Sequence, residues 1–529
     1  MRLETEAIWS VKEGVLTLVS ERMTLGVLLN GIETLQPIPQ GSLSSLLPVS
    51  LLEYDSRRAR PGSVFFALPG LKTDGTRFVP QAIELGAVAV VSENPRPADL
   101  PERIAWAQVG SARRALALAA ANFYDHPAEA LDLVGITGTN GKTTTAFLTD
   151  SILIAAGRRS GLFGTVLYRT PRRAALATHT TPESLDLLRL LAEVRDEGGS
   201  SAVLEVSSHA LAQDRVWGLR FAAAVFTNLT RDHLDFHGTM ENYFAAKRRL
   251  FEGAGSPAPR SGIVNFDDPY GRQLAGLAER TITYGLTRGA DVFADSYRLT
   301  ADGLEFTAQT PAGQIGLRSR LVGRVNVQNI LAATAAALAL GVSPDAISRG
   351  IERMRSVPGR FERVEAGQPF LVAVDYAHTD DALARLAETA RELRLPGRIL
   401  LLFGAGGDRD RAKRPLMGHA AGRGADLVVV TSDNPRSENP RDIIAEILPG
   451  LESTGTPFLV EPDRASAIAL ILGKAQTGDV VLLAGKGHEN YQVLADRTIA
   501  FDDRDVASRA LAALGYGKGR LAPENGAAG

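Results

Sequence analysis

The stretch Gly138-Thr139-Asn140-Gly141-Lys142-Thr143-Thr144 has the residue types and spacing to hold the phosphates of a nucleotide. Gly138 and Gly141 would let backbone N–H groups close around phosphate oxygens. Lys142 could reach the outer phosphates, and the Thr143 hydroxyl could hold a magnesium ion. The usual spacing of such a loop puts a glycine five positions before Gly141, where this chain has Ile136. Glu205 follows a later apolar run, and a carboxylate there suits a magnesium ion bridging nucleotide and substrate; a capped strand end is the plainer alternative. His233 stays open between a ligand and a packed histidine. Farther on, Arg409 and Arg436 offer guanidinium groups of the kind that pair with carboxylates or phosphates, and Pro435 stiffens the loop that holds Asn434 and Arg436. Glu489 has the opposite charge and could hold an ammonium group. A site with both suits an amino acid, against the alternative of arginines merely exposed on loops.

These residues need elements to hold them. Leu131 to Ile136 is an apolar run of strand type, and an amphipathic helix pattern runs from Ala146 through Ile152 and Leu153. Strands are expected at Ala202–Val206 and Ala223–Thr227, and both end in polar clusters. Ligands sit outside the carboxyl ends of the strands in open α/β sheets, so these clusters and the phosphate loop share one edge. The last third of the chain repeats the pattern. Its strands are expected at 370–374, 399–403, 427–430, 458–460 and 480–483. They end in Asp375-Tyr376-Ala377-His378, the loop 404–411, Asp433-Asn434-Pro435-Arg436 and Gly485-Lys486-Gly487-His488-Glu489. Gly404-Ala405-Gly406-Gly407 lacks the spacing of a dinucleotide fingerprint, which excludes NAD binding.

The fold expected is α/β in three domains: a small α/β unit over 1–130, a P-loop parallel-sheet unit over 131–356 and a Rossmann-like unit over 357–515, with a disordered tail over 516–529. Within the first, a short helix is expected over Met23–Ile32, stopped by Pro37, Pro39 and Gly41, and a long one over Ser111–Tyr124. Residues 253–320 read as a β-rich lobe, and Val357-Pro358-Gly359-Arg360 as a hinge-like turn. On periodicity alone, Lys247, Arg248 and Arg249 form a solvated basic face of a helix over Glu241–Phe251.

A net charge of −2 gives no long-range attraction to nucleic acid or anionic lipid. The absence of cysteine excludes disulfides, thiolate metal sites and cysteine nucleophiles. No stretch reads as a signal peptide or a bilayer span, so a cytoplasmic protein is expected.

The order Asp55-Ser56-Arg57, Gly138 to Thr144, Thr180-Thr181-Pro182, Glu205 to His209, Asn228-Leu229-Thr230-Arg231-Asp232-His233, Asp375 to His378, Asp433 to Arg436 and Gly485 to Glu489 resembles the Mur ligases from about Asp55 to Asp505. The short phosphate loop is that family's own form. The resemblance implies an ATP-dependent, ADP-forming ligase that adds meso-2,6-diaminopimelate to UDP-N-acetylmuramoyl-L-alanyl-D-glutamate through an acyl phosphate. It implies Ser56 and the loop after Gly70 at the UDP end, although Leu71 stands where some members place a polar residue against uracil. His179, Thr180, Thr181, Ser207, Gln213 and Arg215 would hold the sugar-peptide. Gly138, Thr139, Asn140, Gly141, Lys142, Thr143 and Thr144 would bind ATP, with Asn326 and Asn329 on the adenine side and Asp375 at the ribose. Thr143, Glu205 and His233 would serve Mg2+, and Lys247 would take up CO2 to become a carbamate that holds a second ion. Arg409, Asp433, Asn434, Pro435, Arg436, Gly485 and Glu489 would recognise the diamino acid. Its expected partners are these small molecules, with no nucleic acid or membrane, and the protein is expected to be a monomer. A lysine-adding relative, a folylpolyglutamate synthetase-type ligase and a P-loop motor ATPase are the competing readings.

Overall fold

The computed structural model describes residues 9–12, 15–18, 23–36, 44–70, 73–300 and 302–517. Leu71, the breakers Pro37, Pro39 and Gly41, and all but the first two residues of the tail expected over 516–529 lie outside them.

The first sheet has four parallel strands in chain order, Leu51–Glu53, Ser63–Ala67, Ala87–Ser92 and Ala105–Gln108. Ala112–Phe123 packs on it through Ala112, Ala115, Leu116, Ala119 and Ala120, and the Ser111 hydroxyl caps this helix by accepting from Arg114 N. The expected helix over Met23–Ile32 is a single turn, Leu25–Leu28, capped by Thr24. Gly31 already has φ +75, so the chain leaves helical geometry before the expected end.

The second sheet has eleven strands. Seven run parallel, from Ser160–Phe163 through Ser201–Glu205, Asp132–Thr137, Ala223–Phe226, Ser261–Asn265 and Arg280–Gly285 to Val292–Thr300. Antiparallel strands extend it at both ends. The β-rich stretch over 253–320 is therefore not a lobe of its own. Its strands continue this sheet, because Ile263, Ile282, Tyr284 and Val292 bury their side chains in the same core as the phosphate-loop helix. That helix, Lys142–Ala155, starts four residues before the apolar pattern at Ala146. Its first turn, Thr143 to Thr145, is polar yet buried, which apolar periodicity cannot register.

The third sheet, in order, is Glu362–Arg363, Leu371–Asp375, Val480–Ala484, Ile399–Phe403, Leu427–Val430 and Phe458–Val460, parallel except for its first pair. These interior strands are buried on both faces, as parallel sheets covered by helices require. In both large sheets the strand that bears a key loop has later strands on either side, which opens a crevice at the carboxyl edge.

Candidate active site

Asp132–Thr137 runs straight into the phosphate loop. Ile136 is fully buried in that strand, so the loop starts at Gly138 and needs no glycine two positions earlier. Gly138 has φ +140, and a Cβ there would lie 1.9 Å from Thr227 Oγ1. The next strand's end braces the loop: Thr139 N donates to Asn228 O (2.8 Å), Asn140 N to Asn228 Oδ1 (3.0 Å) and the Thr227 hydroxyl to Asn140 O (2.6 Å). Lys142 Nζ donates to Gly138 O (2.9 Å) and Thr139 O (2.8 Å). Lys247 Nζ donates to the same Gly138 oxygen at 2.8 Å and lies over the Tyr243 ring.

Lys247 is 1 % exposed, which overturns its place on a solvated basic face. On the helix Met240–Glu252 it shares a face with buried Tyr243, Leu250 and Phe251, while Arg248 stays exposed and Arg249 bonds to Leu211 O and Asp214. Burial, reinforced by the charge of Lys142, holds the Lys247 amine well below the usual lysine range. Burial also lowers Lys142, with Glu205 pulling the other way.

Glu205 is buried at the end of its strand. Its Oε2 accepts from the hydroxyls of Thr143 (2.9 Å) and Thr165 (3.1 Å), and its Oε1 from Thr165 N (2.8 Å). A carboxylate beside a phosphate-loop hydroxyl is a pair of hard oxygen donors that could hold Mg2+. Among the described residues no group of three His, Asp or Glu could hold a metal alone. An ion here would complete its shell with phosphate oxygens and water, as Mg2+ does. His233 has φ +54, with Nε2 3.4 Å from Asp232 Oδ2. Partial desolvation in the cleft lowers its pKa against the pull of Asp232, which favours the neutral imidazole, the form with a lone pair to donate.

The third unit enters the same cleft. Arg360 Nη2 donates to the Thr143 hydroxyl (3.0 Å), with its guanidinium over the Tyr376 ring. Asp381 accepts from Asn140 Nδ2 (2.9 Å) and Thr230 (3.2 Å). In the sequence Arg360 stands only in a turn, and its Gly-Arg step after Pro358 is the one signal it offers. Asn326 and Asn329 line this cleft on the helix Arg324–Ala339, joined by Asn329 Nδ2 donating to Asn326 Oδ1 (2.9 Å). Asp375 lines it too, its two oxygens accepting from Phe361 N and Ala377 N.

Thr180, Thr181, Ser207, Gln213 and Arg215 come together beside Glu205. Thr181 donates to Glu205 O (2.8 Å), Thr180 pairs with Thr165, and Arg215 donates to Thr181 O (2.9 Å) and Gln213 Oε1 (2.7 Å). His179 is tied through its backbone to Tyr168. Ser56 lines neither this cleft nor the next; its hydroxyl donates to Gln81 Oε1 on the helix Val79–Glu84 of the first unit.

A second cleft is lined by Arg409, Asp433, Asn434, Arg436, Gly485 and Glu489. Arg436 has φ +53 and donates to Gly407 O (2.7 Å). Pro435 packs against Gly407, where a Cβ would lie 1.8 Å from the Pro435 oxygen. Lys486, missed as a functional residue, is fully buried and donates to Glu489 Oε2 and Asn434 Oδ1 (both 3.1 Å), 3.6 Å from Asp433. Glu489 is thus partly neutralised by the chain itself, while Asp433 Oδ1 is buried without a hydrogen bond. The two clefts share Asp232, His233, Tyr376, His378 and Thr379.

The descriptions "Mur ligase family, catalytic domain", "Mur ligase middle domain" and "Mur ligase, glutamate ligase domain" match residues 48–124, 136–337 and 359–487. A UDP-N-acetylmuramoyl-L-alanyl-D-glutamate–2,6-diaminopimelate ligase of Solibacter usitatus is 52% identical over 93% of this chain and 99% of its own. One of the same name from Geobacter metallireducens is 47% identical over 90% and 97%. A solved structure of a ligase of that name is 32% identical, with a TM-score of 0.64 over 93% of this chain and 99% of that one. With three family matches spanning most of its length and relatives this similar from end to end, the chain belongs to the Mur ligase family.

Proposed function

We infer that the protein is an ATP-dependent, ADP-forming ligase that joins meso-2,6-diaminopimelate to UDP-N-acetylmuramoyl-L-alanyl-D-glutamate, a step of peptidoglycan precursor synthesis. Relatives named for that reaction are 44–52% identical over most of the chain. The observation that carries the mechanism is the shared wall of the two clefts: a product made at the phosphate loop faces the amino-acid side directly. The units 1–130, 131–356 and 357–515 would take the nucleotide-sugar, ATP and the diamino acid respectively.

The γ-phosphoryl of ATP passes to the free carboxylate of the D-glutamate side chain, giving an acyl phosphate and ADP. The diamine's nitrogen then attacks the acyl carbon, and phosphate leaves as the amide closes and the nitrogen loses a proton. Lys142 and Arg360 meet the phosphoryl group from opposite units and offset its charge. Mg2+, held by Thr143, Glu205 and His233, would supply further charge neutralisation. The Lys247 amine, whose charged form burial and Lys142 disfavour, would in its neutral form add CO2 with loss of one proton, putting an anion where the chain has a lysine. Thr181, Ser207 and Arg215 hold the peptide end near Glu205. Arg436 and Glu489 take the carboxylate and ammonium at the far end of the diamine. Lysine lacks that carboxylate and would leave Arg436 unpaired, which speaks against a lysine-adding enzyme. A folylpolyglutamate synthetase would need neither the Asp433 loop nor the Asp55 domain.

The test is ADP release with the UDP-linked dipeptide and a panel of amino acids. Release should require both substrates and favour meso-diaminopimelate over L-lysine, and Arg436→Lys should cut that preference roughly a hundredfold. Release without either substrate would point to a motor or hydrolase and end the reading. Oxygen-18 from the labelled carboxylate should appear in the freed phosphate.

A further inference from the structure

Arg464 lies beneath the amino-acid cleft, fully buried, and lines neither cleft. It opens the helix Arg464–Lys474 and bonds to both loops that form the cleft. Its Nε and Nη2 donate to Asp503 Oδ1 (2.8 Å) and Oδ2 (2.6 Å). Nη1 also donates to Ser432 O (3.2 Å), and Nη2 to Ala484 O (2.9 Å). Ser432 is the residue before Asp433, and Ala484 the residue before Gly485. One planar group therefore spans the roots of the Asp433–Arg436 and Gly485–Glu489 loops, and Asp503, itself fully buried, holds that group in plane. A buried ion pair is often no more stabilising than an apolar pair of the same volume, so stability alone explains its presence poorly. Four directed donations, two of them to carbonyls at the roots of the loops, are a geometry that apolar residues cannot reproduce. Lysine, with three donors on a single nitrogen, could not span both carbonyls and the carboxylate either.

We propose that Arg464, oriented by Asp503, is a positioning residue that sets amino-acid selectivity by fixing the separation of the loops carrying Arg436 and Glu489. This rests on the reading of that cleft as the diamino-acid site. Loosening the spacer would let the two loops drift, so the doubly charged end of the diamine would meet its partners less often together. ATP and the sugar-peptide bind elsewhere and would not register the change.

The test uses full-length Arg464→Met and Arg464→Lys. It measures KM for ATP, for the UDP-linked dipeptide and for meso-diaminopimelate, and the kcat/KM ratio of that diamine over L-lysine. In folded Arg464→Met, the diamine KM should rise roughly tenfold to a hundredfold and the selectivity ratio fall in step, as displacements near 1 Å produce. The other two KM values should hold within about twofold. Arg464→Lys should recover part of both losses. Three KM values rising together, or an unmoved diamine KM in a folded variant, would overturn the proposal. If Arg464→Met does not fold, Arg464→Lys is judged by the same split. Wild-type protein that releases no ADP in response to any diamino acid would sink the reading of the cleft, whereas active wild type with an unmoved diamine KM sinks this inference alone.

Discussion

Gly164→Ala should disable the enzyme with little damage to the fold. Gly164 follows the strand Ser160–Phe163 and lies against Glu205. A Cβ there would sit 2.2 Å from Glu205 Oε1, 2.8 Å from Cδ and 2.9 Å from Cγ. That is about 1 Å inside ordinary van der Waals contact, and the whole carboxyl end is involved, so the side chain must swing by about that distance. Glu205 is buried on its other sides, so the open direction is into the cleft it lines. The swing breaks the bonds from Thr165 N and the Thr143 hydroxyl. A catalytic group displaced by about 1 Å costs roughly a hundredfold in rate, or about 2.7 kcal/mol of barrier. Overpacking costs about 1–3 kcal/mol of stability, which a chain of this size can absorb at room temperature. Steady-state ADP release over a range of Mg2+ concentrations is the assay. We expect kcat to fall roughly a hundredfold and half-saturating Mg2+ to rise, because the displaced carboxylate is the one proposed to serve the ion. Gly110→Ala is the control, since a Cβ there meets nothing within 4 Å. A Gly164→Ala enzyme within about twofold of wild-type kcat would refute both the placement of Glu205 and its role.

Three further outcomes follow from other parts of the structure. Lys247→Ala should lose nearly all turnover and recover some with millimolar formate or acetate; wild-type turnover without rescue would remove the carbamate. Arg360→Ala should lower kcat by roughly a hundredfold or more while leaving KM for the diamino acid in place, because its guanidinium meets the phosphate loop and not the amino-acid cleft; a change confined to the diamine KM would contradict that. Burial raises Glu53 from 4.5 to about 7, against the pull of Arg58, and its Oε2 is buried without a hydrogen bond. Between those two pH values the folded protein keeps a proton that the unfolded chain releases, so stability falls as pH rises through the window and stays lower above it. Glu53→Gln removes that loss, and its thermal midpoint should gain on wild type between pH 4.5 and pH 8; parallel curves would show that Glu53 ionises without cost.

The parts of the site that sit at strand ends were legible because one local rule finds them. A run of buried strand residues followed by polar or glycine positions marks a carboxyl edge, and Ile399–Phe403 and Leu427–Val430 run as that rule places them. What the rule misses depends on contacts between distant segments. Arg360 reads as part of a turn until the third unit brings it to Thr143, 217 residues away in sequence. The strands between 261 and 319 read as a lobe because composition reveals strand type and says nothing about which strand is the neighbour. Lys247 is the instructive miss: it stands four residues after Tyr243 and three before Leu250, so the spacing had already placed it on the apolar face. Its charge, taken together with Arg248 and Arg249, hid that. Lys486 and Arg464 are hidden in the same way, since each charge is buried by partners far off in sequence.

The two clefts handle charge differently, and the difference fits what each must do. At the phosphate loop, Lys142 and Lys247 both donate to the Gly138 oxygen, and Arg360 reaches in from the third unit. Two buried ammonium groups on one carbonyl repel each other, which is why burial and Lys142 together lower Lys247. An incoming polyphosphate, or a carbamate on Lys247, relieves that repulsion, so this cleft gains affinity from charge the chain leaves uncompensated. In the amino-acid cleft the reverse holds. Lys486 is already shared by Glu489 and Asn434, and Arg464 is bonded to Asp503 and both loops. Charges of both signs line it, and on the proposed reading selection rests on where Arg436 and Glu489 stand. The same nucleotide serves every round of catalysis whatever the acceptor, so affinity suffices on that side. Choosing one diamino acid among similar ones needs fixed geometry, which is the part we propose for the buried, hydrogen-bonded Arg464 and Lys486.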